Sequence, residues 1–463
     1  MSGLVSRKSA LWKRLYEQVC KTRIVDCHMH TYTQREYANT ATKPGIFTIF
    51  SYFQREIDGI EEVHGLKLSA CKTDEERWKV LKQILDLAGN VTFWRHIWQV
   101  YRELYGLGNV ELNDSNWRTI HRKMQNHAKR PGWYRRLFKE IAGLDLGVYS
   151  APMTNVKSAL SPKVTVPRSV NDDYFVSSVH IAELITITNR NPLLALEKEC
   201  GIAIRNAASL VDAIESFFHL IKSEGAVAIK SPHAYERTLL HEQVSPATAS
   251  RLLSKLLRKG GKPSAAELRK LQDFIFWTVC EKAGEIGLVF QMHTGIQTTW
   301  SWMPDSDPRH LMKPIGHFRN TKFDLFHAGY PFTMELGLMA KHYPNIWANM
   351  AWMYVVTMEG SRRTLDEWID LIPAHRIMGF GSDVAWPEEM IGHVSMARLC
   401  IADVLAKKVT MDLLTEERAV RLIQQLLREN AISLYGLESN PLLSTKKSKT
   451  KKQKAKSCSG KRM

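Results

Sequence analysis

Residues 24–31 read IVDCHMHT, a short apolar run that gives way to two histidines one residue apart. In an extended strand alternate side chains share a face, so His28 and His30 point the same way, toward one ion or one solvent pocket. Seven further runs share this design: each is apolar, rich in β-branched or aromatic residues, ends in or beside a polar residue and is followed by helical pattern. They are GVYSA (147–151), FVSSVHI (175–181), GAVAIKS (225–231), GLVFQMH (287–293), FDLFH (323–327), IWANM (346–350) and RIMGFGSD (376–383). Continuous apolar strands alternating with helices predict a parallel sheet covered on both faces, and eight such units predict an α/β chain closed into a (β/α)8 barrel. Strand two is the weakest of these signals, and strand three is blurred by the apolar AELITITN (182–189) behind it.

A chain of 463 residues suits one large barrel with insertions, and the expected organisation is a barrel over 1–443, a helical insertion within it over 45–143 and a tail over 444–463. The insertion is rich in Trp, Arg and Leu, and its TFWRHIWQVYRELYGL and WYRRLFKEIAGL carry apolar residues at helical spacing. Following strand one, it would sit over the carboxyl end of the barrel and is a candidate lid. Leu11, Leu15 and Val19 mark a helix leading into strand one, and this start has no apolar stretch of the kind a secretory signal needs.

An apolar fraction of 44% with 24% charged residues fits a soluble globular protein, and no uncharged apolar run is long enough for a membrane-spanning helix. The seven cysteines (20, 27, 71, 200, 280, 400 and 458) form no CxxC pair, so free thiols in a reducing compartment are expected. The expected location is the cytoplasm, with a nuclear address left open by the tail. That tail, STKKSKTKKQKAKSCSGKRM, carries nine basic residues and no acid, leaving +8 of the +17 net charge for the body. It cannot bury apolar surface and is expected to be disordered. It reads equally as a solvated segment or a nucleic-acid contact, but it lacks aromatic residues to stack on bases. The expected partner is a small-molecule substrate; no membrane is expected, nucleic acid only through the tail, and homo-oligomerisation is left open.

Seventeen histidines need sorting by position. His64, His96, His121, His127, His219, His317 and His342 lie in helical or loop context without partner spacing and read as structural or surface residues. Four stand at carboxyl ends of predicted strands: His28 and His30 on strand one, His293 on strand five and His327 on strand six. Asp383 closes strand eight and Lys230 closes strand four. In a barrel these ends converge on one mouth. His28, His30, His293 and Asp383 suit a borderline divalent ion such as zinc, leaving a position for a water whose pKa falls toward about 7. His327 then serves as acid, base or electrostatic stabiliser. Singly, each strand-end histidine reads as a hydrogen-bonded core residue, and only the constellation reads as a site. Lys230 has two readings, a carbamylated lysine bridging two ions and, favoured, a strand-end lysine in a salt bridge or facing an anionic substrate. One ion is therefore expected, and two only with the carbamate. Cys27 alternates away from the mouth and reads as packing.

With these residues in view the chain is identified as a member of the amidohydrolase superfamily. The resemblance rests on DCHMH, QMHTG, FHAGYP, PAHRIMGFGSDVAWP and LLRENAISLYGL, and it is nearest to the amidohydrolase-related branch of hydrolases, non-oxidative decarboxylases and hydratases. It implies His28, His30, His293 and Asp383 as metal ligands and His327 as the catalytic histidine. The insertion, with FWRHIWQVYRELYGL and the turn into GLDLGVYSAP, resembles the helical segment of uronate isomerases, as does MARLCIADVLAKK before ENAISLYG. Those enzymes carry Asp-Ser-Arg at strand eight, where this chain has Ser382, Asp383 and Val384.

The leading expectation is a metal-dependent hydrolase acting on a small carboxylated substrate. In it a metal-activated water attacks, Asp383 moves its proton and His327 stabilises the developing oxyanion. The alternative uses the same ion to isomerise or decarboxylate an acidic metabolite. Arg237 beside strand four, and Arg35 and Arg55 after strand one, are candidate carboxylate clamps, each with a plainer reading as a surface or packing arginine.

Overall fold

The computed structural model describes residues 5–443 except 41, 43, 159–162, 300 and 301. The lysine-rich segment 444–463, with its expected disorder and nucleic-acid or address role, and Cys458 lie outside the described residues. Eight parallel strands form one sheet in chain order: β1 (Ile24–Met29), β2 (Leu144–Ala151), β3 (Phe175–His180), β4 (Ala228–Ser231), β5 (Val289–Met292), β6 (Phe323–Leu325), β7 (Ile346–Asn349) and β8 (Ile377–Met378). Seven of the eight apolar runs contain their strand whole, and β2 begins at Leu144, three residues ahead of GVYSA.

The sheet closes on itself between β8 and β1. The Cys27 amide donates to Phe380 O at 3.1 Å and the Asp383 amide to His28 O at 2.9 Å. The buried Asp26 carboxylate accepts from the amides of His28 at 3.1 Å and Ser382 at 3.0 Å, stitching the seam with one oxygen. The fold is therefore the (β/α)8 barrel, with helices on the outer face.

Burial on both faces explains why the strands read as unbroken apolar runs: all six residues of β1 are buried. A separate apolar cluster of Val25, Cys27, Leu146, Val148, Val176 and Val289 is closed by Leu434 and Tyr435 of the carboxyl-terminal helix Asn430–Tyr435. Cys27 is a packing residue there.

The segment 45–143 contains the helices Gln54–His64, Asp74–Ala88, Thr92–Tyr105 and Trp117–Ala128. In Thr92–Tyr105 the buried residues Trp94, Ile97, Val100, Tyr101 and Leu104 recur at three and four, making one apolar face. That face packs against Pro387–Thr410, the long helix after β8. Gly392 permits the contact, because a Cβ there would stand 2.5 Å from His96 O. The helix Thr92–Tyr105 thus buttresses the long helix after β8. A short hairpin after β2, Val156–Lys157 paired with Thr165–Val166, lies nearer the barrel mouth and was not anticipated from sequence. No helix among the described residues is long and apolar enough to cross a membrane.

Candidate active site

The strand ends open into a cavity of about 610 Å³. His28, His30, His180, Lys230, His293, His327 and Asp383 line it from the barrel side. Tyr149 of β2 lines it too, with Tyr32, Glu36, Tyr52, Glu183 and Tyr235 from the segments that follow the strands.

Asp383 sits at the centre of the strand-end group. Its Oδ1 is 3.1 Å from His28 Nε2 and 2.9 Å from His30 Nε2, and its Oδ2 is 3.9 Å from His327 Nδ1. Asp383, His327 and Trp352 all take left-handed backbone, with φ of 52°, 62° and 65°. Non-glycine residues held there store strain, which concentrates where side chains must be aimed at a site.

His327 is fixed at both nitrogens, Nδ1 lying 3.1 Å from Ala351 O and Nε2 2.9 Å from His293 Nδ1. His293 in turn places Nε2 2.7 Å from Ile296 O. Lys230 Nζ stands 3.4 Å from His28 Nε2 and 4.2 Å from the centre of the Phe326 ring.

Burial, with the Lys230 charge beside it, pushes His28 down to about 3, so its imidazole is neutral at ordinary pH. Burial opposes the charge on Asp383, but the bonds from His28 and His30 hold it well below the usual carboxylate range. Burial draws Lys230 down to about 8, partly offset by Asp383 and Asp324, and takes His327 down to about 4.

Neutral imidazoles and an ionised carboxylate are a Lewis-basic set. Three of the four expected ligands, His28, His30 and Asp383, meet within hydrogen-bonding distance, while His293 is one step removed and paired with His327. Among the described residues no three His, Cys, Asp or Glu side chains stand around a common point in ligating geometry. The donors are instead hydrogen-bonded to one another.

The three arginines expected as clamps are placed elsewhere. Arg237 is buried and ion-paired with Asp273 at 2.7 Å, its other donors spent on Thr238 O, Leu240 O and Gln272. Arg35 and Arg55 are exposed, and none of the three lines the cavity. Nearness in sequence to a strand end does not fix the direction of a long side chain, and here burial beside Asp273 decided it for Arg237. Lys157, on the hairpin after β2, and Lys230 supply the lysine charge of the cavity wall.

Several lining residues escaped the sequence reading. His180 closes β3 as the other histidines close their strands, and FVSSVHI carried that signal. Tyr52 comes from the insertion and donates its hydroxyl to Asp383 O. Glu183 in the short helix Ala182–Ile185 and Tyr235 in the turn His233–Tyr235 have no spacing rule to mark them.

Strand-end imidazoles and a carboxylate thus gather at one mouth of the barrel, at the carboxyl end of the sheet, where this fold keeps its active sites. Residues 249–437 match the family model Amidohydro_2, described as amidohydrolase. The chain is 24% identical over 273 residues to the uronate isomerase of Nostoc punctiforme, covering 54% of this chain and 56% of that one. It is 26% identical over 152 residues to the protein fluG of Emericella nidulans, covering 33% and 18%. These matches span about half the length of those curated relatives or less. The crystal structure of glucuronate isomerase from Caulobacter crescentus superposes with a TM-score of 0.74 at 16% identity, covering 95% of this chain and 96% of that one. The amidohydrolase match takes in β5 to β8 and the helix Asn430–Tyr435.

Proposed function

We propose that the protein is a metal-dependent isomerase of a small sugar acid, converting an aldose to a ketose. The observation that carries this reading is the convergence of His28 and His30 on Asp383 at the floor of the cavity. Similarity to uronate isomerases supports it over hydrolysis. His28, His30, His293 and Asp383 would hold one divalent ion, zinc by expectation, and carbamylation of Lys230 would add a second. Bound there, the ion supplies Lewis acidity toward a carbonyl oxygen.

The chain's own residues do the rest. Asp383 is ionised and takes a proton from the carbon beside the carbonyl, returning it to the former carbonyl carbon while the hydroxyl proton on the donor carbon passes to the former carbonyl oxygen. His327, locked between His293 and Ala351 O, presents a fixed dipole to the oxygen on which charge develops. Tyr32, Tyr149 and Glu183 line the wall where hydroxyl groups bind.

One observation favours a second reading. No arginine follows Asp383 where uronate isomerases carry Asp-Ser-Arg, and among the described residues none lines the cavity. A hydrolase or decarboxylase of another small acid needs no clamp at that place.

The test is the metal-loaded protein assayed by NMR against uronates, carboxylated aromatics, amides and lactones. Ketose formation from a uronate supports the isomerase. Hydrolysis or carbon dioxide release without ketose overturns it in favour of the second reading.

A further inference from the structure

Between β4 and the helix Ala265–Ile286 lies a second group of histidines, apart from those lining the cavity. Ser231 Oγ is 2.8 Å from His233 Nδ1, His233 Nε2 is 3.1 Å from His241 Nε2, and His241 Nδ1 is 3.0 Å from Asp273 Oδ1. Asp273 Oδ1 also accepts from Arg237 Nη2 at 2.7 Å. Ser231, His233 and His241 are 0% exposed, and Asp273 and Arg237 each 5%. Polar groups this deeply buried persist only when donors meet acceptors.

That condition fixes every proton in the chain. The Asp273 carboxylate only accepts, so His241 Nδ1 donates and its Nε2 accepts. His233 Nε2 must then donate, leaving its Nδ1 to accept from the Ser231 hydroxyl. The result is a directional line of neutral imidazoles that ties the end of β4 to the helix beneath it.

The turn His233–Tyr235 is what this line holds in place. Tyr235 projects from it into the cavity, its ring centre 4.7 Å from that of His293. Its hydroxyl accepts from the Thr298 amide at 3.1 Å. The remaining contact, to Thr298 Oγ1 at 3.3 Å, is long and readily exchanged for a substrate oxygen. Tyr52 differs, because its proton is already committed to Asp383 O.

We infer that Tyr235 is a substrate-contacting hydrogen-bond donor, held over His293 by the buried line from Ser231 through His233 and His241 to Asp273 and Arg237, whose members are positioning residues. This rests on the cavity being the substrate site, as the proposed function requires. The donor suits a carbonyl or hydroxyl oxygen on the strand-four side of the cavity, and no proton transfer is assigned to it.

The experiment uses full-length protein with ¹³Cζ-labelled tyrosine, the Tyr235 signal being assigned through Tyr235→Phe. His241→Gln is expected to move the Tyr235 signal, while Tyr235→Phe leaves the low-field imidazole N–H signals in place. A Tyr235 signal unmoved by His241→Gln overturns the positioning role. If that variant does not fold, Ser231→Ala, which removes only the last bond of the line, gives the same readout.

Titration of metal-loaded wild type with D-glucuronate, and separately with the inert acid D-gluconate, is expected to shift the Tyr235 signal. Where D-glucuronate is turned over, Tyr235→Phe should lower kcat/KM by about 10- to 100-fold, the range for losing one hydrogen bond to substrate. A change under twofold, or no shift with either acid, overturns the contact. A shift with D-gluconate but no turnover of any uronate overturns the isomerase reading while supporting the contact.

Discussion

Two histidine groups meet at β4 and use the same side chains for opposite ends. At the barrel mouth, His28, His30, His293 and His327 surround Asp383 beside a cavity, and the His30 side chain is 44% exposed. Beneath the turn after β4, His233 and His241 run to Asp273 with no exposure at all. In the mouth a valence is left over, since His28 Nδ1 is buried without a partner. In the buried line both nitrogens of each imidazole are engaged. Access and unspent hydrogen-bonding capacity, rather than residue type, separate a site from a fastener.

The largest effect expected from breaking this contrast is at Asp383. Asp383→Ala should lower activity by about 10³-fold, and His28→Ala should reduce bound metal as read by elemental analysis of the purified protein. Unchanged metal content in both variants would detach the mouth from metal binding.

Next comes Asp273→Ala, which strands the buried Arg237 charge. It should cost about 3–5 kcal/mol in chemical denaturation while leaving metal content unchanged. A loss below about 1 kcal/mol would mean that Arg237 finds water or another acceptor.

A smaller effect concerns pH. Burial holds His233 and His241 well below the usual imidazole value. Each therefore binds fewer protons folded than unfolded below about pH 6.5, and stability must fall with acid by about 1.4 kcal/mol per pH unit per histidine. Denaturation at pH 6.5 and 5.5 should show a loss about 1 kcal/mol greater for wild type than for His241→Gln. Equal slopes would show that His241 is not held neutral.

The smallest effects belong to the exposed arginines. Arg35→Ala and Arg55→Ala should change activity less than twofold and stability by less than about 0.5 kcal/mol. A tenfold rise in KM for either would restore it as a clamp.

The sequence exposed the barrel because its strands are buried on both faces, so each wrote a continuous apolar run such as IVDC or GLVFQM. It exposed His28, His30, His293, His327 and Asp383 because a strand end is a position a pattern can mark. It hid the line from Ser231 to Asp273, whose members follow no helical or strand period and meet only through the fold of one loop onto one helix. It misdirected the arginines for a related reason: Arg237 lies close to β4 in sequence, yet its guanidinium turns toward Asp273. The hairpin Val156–Lys157 with Thr165–Val166 is too short to write a recognisable strand pattern.

The seam of the barrel carries one last consequence. The Asp26 carboxylate and the Ser382 amide that it accepts from are 356 positions apart, and the same junction brings His28 and His30 to Asp383. During translation the first two imidazoles leave the ribosome long before the residue that completes their site. A chain interrupted short of strand eight therefore lacks the carboxylate that His28 and His30 meet, so this cluster can assemble only once synthesis has run through the last strand.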